Sequence, residues 1–86
     1  MTDDQRMYDF VKAVYETGKP SRGRVAAGQI MPHLDLDPQN LTDEDERYYM
    51  KVAQRCAEAG YIYKRADRYQ VVEITESGKQ YVERGL

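Results

Sequence analysis

Eighty-six residues, 41 % of them hydrophobic, make one domain around a single thin core and exclude a deep active-site cleft. A formal charge of −2 excludes a uniformly basic nucleic-acid binder, so any affinity for phosphate must come from local patches. The single cysteine, Cys56, cannot form an internal disulfide, and no apolar run approaches the roughly 20 residues of a membrane helix, so a cytoplasmic protein with no membrane partner is expected.

The N-terminal stretch Met1 to Arg6 is polar and acidic, unlike a signal peptide. Thr2 and Gln5 have capping-box spacing, and Asp3 and Asp4 suit a helix start. Met7, Phe10, Val11, Val14 and Tyr15 then follow at helical spacing, up to a stop at Gly18-Lys19-Pro20. A second helix is expected from a Ser21 cap to Ile30, with Val25, Ala26, Gln29 and Ile30 on its apolar face. Gly23 and Gly28 weaken it and Pro32 ends it. A polar connection runs to Asn40, and Asn40 or Thr42 caps a third helix whose first turn is the acidic run Asp43 to Glu46. Tyr49, Val52, Ala53 and Cys56, spaced i, i+3, i+4 and i+7, are its buried stripe, and Gly60 stops it.

Tyr61 to Tyr63 and Tyr69 to Ile74 read as the strands of a hairpin, with Lys64 to Arg68 between them. An odd loop puts Ile62, Val72 and Ile74 on the inner face and Tyr61, Tyr63, Tyr69 and Val71 on the outer one; a one-residue slip inverts this. Thr75 caps a short last helix, with Gly78, Tyr81 and Val82 toward the core and Gly85 at its end.

The string Ala57-Glu58-Ala59-Gly60-Tyr61-Ile62, the basic hairpin, and then Ile74-Thr75-Glu76-Ser77-Gly78-Lys79 resemble winged helix-turn-helix regulators of the MarR/PadR kind. The resemblance covers about half of the chain closely, and the helix order covers the rest. It implies an α+β, mostly helical winged helix-turn-helix over residues 1–86: three helices, a β-hairpin wing and a short C-terminal helix. It further implies double-stranded DNA as the partner and transcription regulation as the role. Arg47, Lys51, Gln54 and Arg55 on the third helix would face DNA, and Lys64, Arg65 and Arg68 in the wing would touch phosphate or the minor groove.

Independently of that resemblance, Arg47, Lys51 and Arg55 lie at i, i+4 and i+8 on one helical face. Their structural reading is a solvated face, with Asp43 placed to pair with Arg47. Ser21-Arg22-Gly23-Arg24 would set Arg22 and Arg24 at the start of the second helix, where phosphate can bind; the alternative is an ordinary capped helix. Asp35-x-Asp37-x-Gln39 with Glu46 echoes a calcium loop but has Asn40 where glycine is needed, and an acidic loop is the better reading. Cys56 reads as a core thiol. His33 stands alone, no metal spacing, catalytic set or phosphate loop is present, and neither an enzyme nor a cofactor is expected. Eight tyrosines leave room for a homodimer or another protein partner. The alternative function is therefore a winged-helix protein-interaction module. One positive face joining Arg22, Arg24, Lys51, Arg55, Lys64 and Arg65 favours DNA; cations dispersed among carboxylates favour a protein.

Overall fold

The computed structural model describes residues 3–85. The chain is a small α+β fold, mostly helical, with four helices and a three-stranded antiparallel sheet. In order these are α1 (Asp3–Thr17), β1 (Arg24–Ala26), α2 (Ala27–Ile30), α3 (Asp43–Glu58), β2 (Ile62–Lys64), β3 (Val71–Ile74) and α4 (Glu76–Arg84). No helix among the described residues is long and apolar enough to cross a membrane. Thr2, the expected cap of α1, lies outside the described residues.

The core forms where α1 and α3 turn their apolar stripes toward each other. Phe10, Val11 and Val14 are fully buried with Tyr49, Ala53 and Cys56, and the Phe10 and Tyr49 rings sit 5.5 Å apart. Both stripes follow the 3.6-residue period, which is why they were legible in the sequence. Tyr49 buries its ring yet keeps its hydroxyl satisfied, donating to the Tyr69 carbonyl at 2.7 Å. Burial pushes that phenol well above its ordinary pKa, so it stays a neutral donor. Thr42 and Asp45 close a capping box on α3, so part of its acidic first turn is structural.

The expected second helix is a correction. Arg22 adopts left-handed backbone (φ 58°) and Gly23 follows at φ 84°, which breaks any helix begun at Ser21. Ser21 instead sits in a single 3-10 turn after Pro20, and Ala26 precedes α2 without a side-chain cap. Val25 enters an edge strand opposite Val72, and α2 keeps only four residues before a 3-10 turn at Met31–Leu34. Ala26 and Gln29 are consequently exposed, while Val25 and Ile30 are buried.

The sheet order is β1-β3-β2. Ile62 pairs with Ile74 and Lys64 with Val72, so Ile62, Val72 and Ile74 share the inner face in the expected register. β2 keeps its expected three residues but is shifted by one, and β3 is shorter than expected. Tyr69 lies outside β3 with φ 56°, and Tyr61 leaves the outer face to stack on Tyr81 at 4.2 Å. At α4, the Thr75 hydroxyl accepts from the Gly78 N–H and donates to the Gly60 carbonyl at 2.6 Å. A Cβ on Gly78 would collide with the Tyr61 carbonyl, so glycine is what lets α4 sit against the end of α3.

Candidate nucleic-acid interface

Alternation along the strands decides which basic side chains can act together. Arg24, Glu73 and Tyr63 are cross-strand neighbours on the outer face of the sheet. The Glu73 carboxylate accepts from Arg24 at 2.9 Å and from Arg65 at 3.2 Å. These two hydrogen bonds, Arg24 first, hold its carboxyl below the usual range. Arg65 also lies 5.0 Å from the centre of the Tyr63 ring, the exposed large hydrophobic of this face. Lys64, two residues after Ile62, shares its side of the strand, opposite Tyr63, and lies 5.1 Å from the Tyr69 ring. The wing cations are thus divided between two sides of the hairpin.

The hairpin tip turns toward the helices rather than standing free. The Ala27 N–H donates to the Gln70 carbonyl at 2.8 Å, and Arg68 pairs with Glu46 of α3 at 3.1 Å. Arg68 reaches it from left-handed backbone at φ 58°. Wing and third helix are therefore one connected surface, on which the exposed Arg68 guanidinium is held by Glu46.

On α3, Arg47, Lys51 and Gln54 lie opposite the buried stripe and are exposed. None of them forms an ion pair or side-chain hydrogen bond among the described residues, and the expected Asp43–Arg47 pair is absent there. Arg55 differs: it lies to one side of this row and pairs with Asp3 of α1 at 2.8 Å. Ion pairs this exposed contribute little stability, roughly 0–1 kcal/mol, and a phosphate can displace them.

Of the nine sequence-derived candidates, Arg47, Lys51 and Gln54 come together, with Lys64 on the helix-facing side of the hairpin. Arg24 and Arg65 lie together on the other side of the sheet, joined by Glu73. Arg22 stands apart, in the turn before β1, and neither it nor Arg24 flanks a helix start. Glu73, which organises two arginines, was not singled out from sequence. Its placement between Val72 and Ile74 signals an outward position, but its partner Arg24 is visible only once β1 is known to be a strand.

Cys56 is fully buried, near the Met7 carbonyl at 3.7 Å, and burial pushes its thiol up to about 12. Among the described residues no cluster of His, Cys, Asp or Glu is arranged to hold a metal ion. No family model, curated protein or solved structure matches this chain.

Proposed function

We propose that the chain is a winged helix-turn-helix DNA-binding domain, acting in a small transcriptional regulator, that reads duplex DNA through the outward row of α3. The element order, with a hairpin following α3 and a third strand supplied from between α1 and α2, supports the winged-helix reading. The single observation that carries the DNA reading is the row Arg47, Lys51 and Gln54. These residues project from a helix anchored by its opposite face, without a carboxylate partner among the described residues. Arginine offers a fork of donors to a base edge, glutamine a paired donor and acceptor, and lysine a phosphate contact. The exposed carboxylates Asp43 and Glu44 keep the start of α3 off the backbone, so the contact begins at Arg47.

Random duplex DNA at low salt, followed by a salt titration, tests this. Micromolar binding with log affinity falling on log salt by about three to four units is expected from three or four phosphate contacts. No binding at low salt overturns the reading.

A second reading, a protein-interaction module on the same fold, is favoured by one specific observation. Three of the six cations sought as one positive face, Arg24, Arg55 and Arg65, are interleaved with carboxylates, which breaks that face up.

A further inference from the structure

At the end of the sheet remote from the hairpin tip, the C-terminal part of α1, the turn before β1 and the first half of α4 border an open hollow of about 480 Å³. That volume is within the range of small-molecule sites, roughly 300–1,000 Å³. Lys19, Arg22 and Lys79 line it, and among the described residues no carboxylate lines it, the Glu83 carboxylate that accepts from the Tyr15 hydroxyl at 3.4 Å lying at its edge. Lys19 and Arg22 come from one turn and Lys79 from α4, so only tertiary packing brings Lys79 to the other two. Gathering three positive charges is unfavourable unless an anion joins them.

Most of the other arginines are paired; among the described residues Arg47 and Arg84 are not. Arg6, Arg24, Arg55, Arg65 and Arg68 each lie 2.8 to 3.2 Å from a carboxylate. Around the hollow, Arg22 has no ion-pair partner among the described residues. Lys19 rests 5.0 Å from the centre of the Tyr15 ring, and Lys79 meets Glu76 only at 3.9 Å.

The cradle is also built. The Gly23 and Ser21 N–H groups both donate to the Gly18 carbonyl, at 2.7 and 2.9 Å. A Cβ on Gly18 would meet the Gly23 Cα at 2.9 Å, so this turn closes only with glycine there. Arg22 is held between the two glycines in left-handed backbone, and Tyr15 and Ile74 add an apolar wall.

We propose that this hollow binds a small organic phosphate, with Lys19, Arg22 and Lys79 around the phosphate and Tyr15 and Ile74 against the apolar part. The site lies away from the α3 row, so it stands or falls independently of the DNA reading.

Amide chemical shifts followed during titration with inorganic phosphate and with phenyl phosphate at low ionic strength test it. Saturable shifts at Gly18, Ser21, Arg22, Gly23 and Lys79 are expected, with phenyl phosphate at least threefold tighter because it also uses the apolar wall. The Arg22→Asn, Lys79→Gln double variant should weaken both ligands at least tenfold. Asn tolerates left-handed backbone, so the turn survives, and an unchanged melting temperature verifies that. Lys51→Ala should leave both affinities as they are. Shifts that do not saturate, or undiminished affinity in the double variant, overturn the proposal. So does a short DNA duplex that perturbs these same amides, which would make the hollow part of a polynucleotide surface.

Discussion

Among the described residues no carboxylate holds Arg47, Lys51 or Gln54 on α3, whereas Arg24 and Arg65 share Glu73 and Arg68 holds Glu46. The two groups have similar side chains. They differ in what the backbone places opposite. On α3 the neighbours four residues apart are other outward residues of one helix, so the sequence spacing is also the spatial spacing. On the sheet the neighbour is set by strand pairing across 49 residues, and that pairing brings a carboxylate. A count of cations along a chain therefore overstates the phosphate affinity of a sheet more readily than that of a helix.

The contrast depends first on α3 being fixed by its buried side. Val52→Asp places a charge at a position 5 % exposed. The cost of several kcal/mol rivals the whole stability of so small a domain, so loss of the cooperative thermal transition is expected in circular dichroism. A variant that melts cooperatively near the wild-type temperature would detach the outward row from its anchor.

Next in size is the difference between the two groups themselves. The Arg47→Ala, Lys51→Ala double variant should weaken duplex DNA binding by ~10-fold or more and flatten the salt slope by about one unit, for the phosphate contact of Lys51. The Arg24→Ala, Arg65→Ala double variant should change it much less, because both guanidiniums already have an anion. Equal losses in a fluorescence anisotropy titration would erase the distinction.

Glu73→Gln sharpens it from the other side. Removing the internal anion releases Arg24 and Arg65, so nonspecific affinity should rise a few-fold, with a steeper salt slope. The same carboxylate predicts a pH effect. Its pKa is depressed in the folded state, so its contribution to stability is present at neutral pH and lost as pH falls through that depressed value. Wild type should therefore lose more melting temperature than Glu73→Gln between pH 6 and the pH range below ordinary carboxylate titration.

The smallest effect is expected at the start of α3. Asp43→Asn with Glu44→Gln should strengthen nonspecific binding about two- to threefold at low salt and leave stability nearly unchanged, by relieving repulsion within a Debye length of about 10 Å at 0.1 M salt. Asp45 and Glu46 are poor choices for this test, since Asp45 completes the capping box and Glu46 holds Arg68.

The elements that could be read from sequence are those with local causes. α3 has a capping box, an apolar stripe and a glycine stop. The hairpin register followed from alternating β-branched and aromatic residues. β1 could not be read in this way. Three residues are too few to show alternation, and Gly23 reads equally as a weak helix residue or as a turn. The strand exists because Val25 finds Val72 across the fold. The candidate site divides along the same line. The α3 row was legible, Arg22 and Arg24 were assigned to a helix start that does not form, and Lys19 with Lys79 came together only through tertiary packing.

Cys56, sealed between α1 and α3, gives the molecule a built-in clock. A thiol with its pKa raised to about 12 and no solvent exposure reacts with an alkylating reagent only during openings that separate those helices. The rate of its modification therefore counts those openings directly. Any ligand that prefers the closed form, whether DNA on α3 or a phosphate compound beside α4, must slow that rate in proportion to its occupancy, and a single unlabelled cysteine then serves as the assay for both.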